Sequence, residues 1–245
     1  DGNGRLIRTT DPLGHSTSYG YDSFGQRTSV TDALGHSTSS SYDDLGRMTD
    51  STGIDGLTTH YEYDAAGHLT KSTRNYAPGR GQNEENLYNI VTTYEYDSVG
   101  NQTAVTDTLG ATTRYEYDEN NRLVKTIDPA GNETRSVYNA AGQLVESVDA
   151  LGRSSSYSYD ALGRVTITTA PDGSTTRSEY NPDGTVAASI DASGARTTYM
   201  YDELKRTTAI QDAMGNETHT SYDAAGNVQS STDAMGNTTT YEYDA

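Results

Sequence analysis

Polar and apolar positions alternate along this chain in blocks of six or seven residues, each block closed by turn-forming residues. Thr113, Tyr115 and Tyr117 fall on one side of such a block and Thr112, Arg114 and Glu116 on the other. A period of two is the signature of a strand, because successive side chains leave a pleated backbone on opposite faces. Intervening blocks read the same way, as in Val165, Ile167 and Thr169, or Val186, Ala188 and Ile190. Their Thr, Tyr, Val and Ser content suits strands far better than helices.

The closing residues have a fixed grammar. Asp or Asn is followed three residues later by Gly in two alternating series, one with Gly142 and Gly163, the other with Gly131 and Gly152. Asp128 and Asp149 open turns of the second series. A side-chain oxygen at the first position can accept backbone N–H groups, and Gly supplies a positive φ at little steric cost. This is the chemistry of a short hairpin loop built on a type I turn with a Gly bulge. Pro12, Pro129, Pro171 and Pro182 all stand directly after a turn's first residue, where a φ near −65° is favoured.

One tyrosine per unit sets the register. Tyr117, Tyr138, Tyr159, Tyr180, Tyr201 and Tyr222 are spaced by 21 residues, and the series extends back to Tyr21 and on to Tyr243. The 245 residues therefore read as a single array, 1–245, of about eleven hairpin repeats, and internal repetition overrides any domain count taken from length. The expected fold is all-β: tandem hairpins of about 21 residues pairing into one continuous antiparallel sheet. About 22 strands at ~4.8 Å make a sheet roughly 100 Å wide, and twisted sheets of that width curl, so a curved ribbon or partial spiral shell is expected. Its edges are candidates for self-association.

Two features break the uniformity. Units at Tyr117, Tyr159 and Tyr201 carry a second Tyr two residues earlier, whereas Tyr138, Tyr180 and Tyr222 have Ser136, Ser178 and Thr220 there. This 42-residue alternation suggests rings and hydroxyls that interdigitate on one face, since unbroken rows of rings would overcrowd a curved sheet. An insertion at about 75–89 lengthens the step from Tyr63 to Tyr96, and its Pro, Gly and Asn content reads as a loop on a rim.

Composition narrows the function. Only 32% of residues are hydrophobic, 20 are Tyr, one is Phe and none is Trp, so any core is thin and spread along the array. A net charge of −18 opposes binding to a phosphate backbone, so nucleic acid is not an expected partner. Cysteine is absent, which removes disulfide and thiolate chemistry, and no stretch approaches the ~20 apolar residues of a membrane span.

Candidate chemistry is sparse. Asp and Asn beside Gly suggest a calcium array, but hard cations need several convergent oxygens, and these acids lie about ten residues apart on alternate edges. The five histidines form no ligand cluster, Glu84 and Glu85 lack a partner base, and no Gly-x-Ser-x-Gly elbow occurs. No metal, cofactor or enzymatic activity is expected. Rows of Tyr could stack on sugar rings, which keeps surface-glycan recognition open as the alternative function.

A tandem of this length reading Tyr-Asp-x-x-Gly-Arg-Leu resembles the Rhs, or YD-repeat, family. Tyr159-Asp160-Ala161-Leu162-Gly163-Arg164-Val165 and Tyr42-Asp43-Asp44-Leu45-Gly46-Arg47-Met48 carry the likeness, which extends over essentially the whole chain apart from the insertion. The family includes bacterial Rhs and wall-associated polymorphic toxins, the C components of Tc complexes, and teneurins. The resemblance implies a β-sheet shell that encloses a toxic passenger polypeptide of the same parent chain, in a secreted or exported, cell-surface-associated bacterial protein. Carbohydrate binding is attributed to some members. Asp11-Pro12-Leu13-Gly14 is similar to the family's Asp-Pro-x-Gly self-cleavage element. However, Asp32-Ala33-Leu34-Gly35 fills the same slot elsewhere and His15 stands where the element has Leu, so Asp11 and Asp128 read as turn residues.

Overall fold

A computed structural model describes residues 1–80 and 87–244, and the described residues contain 22 strands and no helix. They divide into two compact units, Asp1–Asn132 and Glu133–Ala245, with eleven strands each.

Within each unit every strand pairs antiparallel with the next in sequence. Ser154–Tyr159 and Val165–Thr169 show the pairing inside a repeat: Ser156 faces Thr169, Tyr157 faces Thr168, Ser158 faces Ile167 and Tyr159 faces Val165. A register shift between Ser158 and Tyr159 marks a bulge. It recurs before Tyr117, Tyr180, Tyr201 and Tyr222. The extra residue twists the strand locally just ahead of the turn. Pairing between repeats is shorter: Val165–Thr169 and Thr175–Tyr180 share only three facing pairs, Ile167 with Arg177, Thr168 with Thr176, and Thr169 with Thr175. The inter-repeat ladder thus stops before it reaches the register tyrosine.

The turns close as their sequence demands. Gly163 N–H donates to the Asp160 carbonyl at 3.0 Å and Asp160 N–H donates to the Arg164 carbonyl at 3.0 Å. Gly152 has φ 76° with nothing within 4 Å of a Cβ built on it, so its requirement is backbone conformation and not space. Where Gly is missing, Asn121 and Lys205 hold φ 59° and 62°. These are left-handed conformations that Asn tolerates more readily than Lys.

A conventional core is absent from the described residues. Their only buried apolar side chains are Ala104, Ala188 and Ala209, each in the middle of a return strand. At Ala188 the flanking strands contribute a charge pair. Glu179 and Arg196 lie on the strands to either side and meet in a two-pronged ion pair at 2.8 and 2.7 Å. Glu179 faces Ala188 on one side and Thr198, two residues after Arg196, faces it on the other. The pair therefore crosses over the alanine on its own face of the sheet, and the long side-chain stems help to exclude water from it.

Candidate functional site: the turn and tyrosine rows

The turn acids Asp128, Asp149 and Asp160 use both carboxylate oxygens locally. Asp160 Oδ1 accepts N–H groups from Leu162 and Arg164 at 2.9 and 3.0 Å, while Oδ2 receives Arg164 Nε at 2.7 Å. Asp149 does the same with Leu151 and Arg153. Asp128 receives the backbone N–H groups of Ala130 and Asn132 together with the Asn132 amide. Gly131, Gly142 and Gly152 donate to the carbonyls of Asp128, Asn139 and Asp149. These donors hold the carboxyls below the ordinary range: the backbone and then the side chain of Arg164 at Asp160, and the side chains first of Arg153 at Asp149 and Asn132 at Asp128. Carboxylates saturated in this way have little capacity left for a cation, and no group of three metal-ligating side chains occurs among the described residues.

The register tyrosines do something the sequence did not disclose. The hydroxyls of Tyr117, Tyr159, Tyr180, Tyr201 and Tyr222 each donate to the carbonyl that opens the preceding return strand, at the point where the inter-repeat ladder has ended. Tyr117 reaches Gln102 at 3.0 Å, Tyr159 reaches Leu144 at 2.6 Å and Tyr180 reaches Val165 at 2.8 Å. Tyr201 reaches Val186 and Tyr222 reaches Thr207, both at 2.9 Å. Tyr138 ends its strand opposite Leu144, in the same register. The insertion does not disturb this pattern: Tyr96 still finds Leu69, 27 residues back instead of 15. Partial burial, and secondarily the neighbouring Tyr115, raise the Tyr117 pKa, which keeps its proton available as donor.

A second longitudinal tie runs from the residue after the turn glycine. Arg164 is held by Asp160, lies 4.4 Å from the centroid of the Tyr180 ring, and donates to the Asn181 carbonyl at 3.2 Å. Arg47 repeats the arrangement with Asp43, Tyr63 and the Asp64 carbonyl, and Arg206 stacks on Tyr222 at 4.4 Å. The acid of one repeat thus orients a guanidinium that grips ring and backbone of the next, a use to which the planar fork is suited. The signal was available in the sequence, since Arg5 and Arg47, then Arg122, Arg164 and Arg206, recur every 42 residues.

The additional tyrosines reach backwards too. Tyr157 and Tyr199 bring their hydroxyls to 3.4 and 3.1 Å from Ser147 and Ser189, which face Ser136 and Ser178 on the other side. The expected interdigitation is therefore local, between a ring and the serine of the strand before it. It is not a steric necessity, because Tyr61, Tyr94 and Tyr115 occupy three successive outgoing strands in the first unit.

Histidines are drawn into the same scheme. His15, His36 and His68 each place Nδ1 2.9 Å from the acid of their own turn, and the His68 ring stacks on Tyr96 in place of an arginine. The nearest approach to catalytic side chains is Ser41, Asp50 and His60, on three adjacent strands. Burial works against ionisation of Asp50, but hydrogen bonds from His60 at 2.7 Å and Ser41 at 2.9 Å outweigh it and lower its pKa. Both partners engage the carboxylate and not each other, so no base stands on the serine hydroxyl as nucleophilic catalysis requires. Tyr76 closes the other face of the imidazole by stacking at 4.5 Å. Glu84 and Glu85 lie outside the described residues, as does part of the insertion. No described helix is long and apolar enough to cross a membrane.

Comparison with known proteins places this geometry. A family model, the RHS repeat, matches residues 1–37, 42–77, 96–133, 138–175 and 222–245, more than half of the chain. No curated protein matches the sequence. The fold is similar to a crystal structure of TcdB2-TccC3-TEV, with TM-score 0.64 and 17% identity over 95% of this chain and 15% of that one. It is also similar to the Photorhabdus luminescens Tc holotoxin pore carrying mutant TccC3, with TM-score 0.55 and 18% identity over 97% of this chain and 16% of that one. The chain spans about one sixth of the length of these solved chains.

Proposed function

We propose that this chain, which belongs to the RHS repeat family, is a wall segment of a shell enclosing a passenger polypeptide of its parent protein. The observation that carries the reading is the tyrosine clamp: the Tyr159 hydroxyl holds the Leu144 carbonyl of the preceding repeat, and the same contact recurs from repeat to repeat. A sheet without a hydrophobic core needs such ties, because each repeat gains stability only from its neighbours. They give a barrier whose cohesion does not depend on a second layer packed against it. Its mechanism is confinement, with turns fixing hairpin register, tyrosines and arginines joining hairpins, and no catalytic step. The toxin-containing assemblies that share the fold support this reading. In that role the parent protein is exported from a bacterium, and the passenger is the principal partner.

Surface-glycan recognition has less behind it. The register hydroxyls from Tyr159 to Tyr222 already donate to backbone, so they are not free to bind sugar hydroxyls.

The test is protease protection in the full-length parent protein. The passenger is expected to resist digestion in the native protein and to become susceptible when Tyr159, Tyr180 and Tyr201 are all replaced by Phe. A passenger digested equally fast in both proteins sinks the enclosure reading.

A further inference from the structure

The insertion builds a site that no other described turn possesses. Its described neck is ordered by hydrogen bonds: Asn89 N–H donates to the Asn75 carbonyl at 3.0 Å, and Asn75 Nδ2 donates to the Leu87 carbonyl at 2.8 Å. The Asn89 side chain, only 9% exposed, accepts Ala77 N–H at 2.8 Å and donates to the Arg80 carbonyl at 2.9 Å. Asn75, Leu87 and Asn89 hold φ of 49°, 55° and 51°, three left-handed non-glycine residues in one short neck. Such strain persists where surrounding contacts over-determine it.

Between this neck and the preceding Gly53–Leu57 turn lies a cavity of about 510 Å³. That size falls within the usual range for small-ligand pockets. Leu57, Leu87 and Ile90 line it, and Leu57 and Leu87 are 50% and 61% exposed. Arg74 stands at the same cavity, exposed, and its guanidinium makes no ion pair or hydrogen bond to any described residue. Arg47, Arg164 and Arg206 are each neutralised by a turn acid, whereas the Arg74 guanidinium stands uncommitted beside an apolar wall. Asp55 spends Oδ1 on Leu57 N–H at 3.0 Å and keeps Oδ2, while Ser51 contributes a hydroxyl.

From this arrangement we propose that the cavity binds the C-terminal end of a peptide whose last residue is apolar. Its carboxylate pairs with the Arg74 fork, its final side chain covers Leu57, Leu87 and Ile90, and a backbone N–H reaches Asp55. Charge complementarity selects an anionic end, since Arg74 is the only cation among the described residues that line the cavity. An inorganic anion would leave the three apolar side chains uncovered. The site does not depend on the enclosure reading, and its test involves no passenger.

The probe is a fluorescein-labelled Gly-Ser-Gly-Leu-Leu peptide, as free acid and as C-terminal amide, titrated with the intact 245-residue chain and read by fluorescence anisotropy. Saturable binding of the acid is expected, with about tenfold weaker binding of the amide, since hydrogen bonds to charged groups contribute at least that much. Arg74→Gln should weaken the acid to the level of the amide, and Leu87→Ala should weaken both forms. Arg153→Gln, a cation that does not line the cavity, should change nothing. Thermal melts of Arg74→Gln confirm that it folds, as expected for an exposed side chain without described partners. Equal binding of acid and amide, unchanged binding by Arg74→Gln, or no saturable binding at all would each overturn the proposal.

Discussion

Replacing Tyr159 by Phe removes one oxygen and leaves ring, register and turn in place. The hydroxyl lost is the one that sits 2.6 Å from the Leu144 carbonyl. That carbonyl lies outside the three-pair ladder of Glu146, Ser147 and Val148 with Ser156, Ser155 and Ser154, so no strand partner replaces the tyrosine. A net intramolecular hydrogen bond contributes about 0.5–1.5 kcal/mol, and an acceptor left dry costs about 1–3. Tyr159 is only half-buried, so water reaches part of the gap and a loss of about 1 kcal/mol is expected. For a chain of this size that is a fall in Tm of roughly 2–4 °C. Tyr180→Phe and Tyr201→Phe remove equivalent contacts two strands further on each time, at about 10 Å intervals, where effects usually add. The triple variant should therefore lose about 3 kcal/mol, read by urea denaturation with unchanged m-value. Hydrogen exchange should accelerate first at the junctions between repeats. A triple variant that melts with the native protein would refute the claim that these hydroxyls join the repeats.

Arg164→Ala should lower Tm more than Arg153→Ala, because both pair with a turn acid but only Arg164 also grips the next repeat; equal shifts would remove the relay. Gly152→Ala forces φ 76° on a residue with a Cβ and should cost about 1–2 kcal/mol, while Lys205→Gly should relieve the same strain and raise Tm, less the Lys205 bond to the Asp183 carbonyl. Acid should unfold the array cooperatively. The turn acids Asp128, Asp149 and Asp160 have folded pKa values below the ordinary carboxylate value of 3.8, so their contribution is complete above that value and is lost as pH falls through the lower folded values. Circular dichroism between pH 5 and 2 measures this, and a flat signal would contradict it. Ser178→Tyr should leave Tm nearly unchanged, since Tyr61, Tyr94 and Tyr115 already stand on successive repeats; a large loss would restore crowding as the cause of the 42-residue alternation.

The amino-acid sequence by itself determined the hairpin repeat, its turns and the strand faces. Asp160 and Gly163 specify a turn through contacts within five residues, and the alternation of Ser156, Tyr157, Ser158 and Tyr159 fixes which side chains share a face. Local chemistry of this kind is written in adjacent residues, and eleven copies make it legible. What the tyrosines are for was decided only by the tertiary structure. Nothing near Tyr159 in sequence says that its hydroxyl finds Leu144, because that contact depends on where the inter-repeat ladder stops and on how far a ring reaches past it. The burial of Ala188 under a charge pair from two flanking strands, and the cavity beside Arg74, have the same origin. Both arise from residues that meet across strands, where distance in the chain carries no information about distance in space.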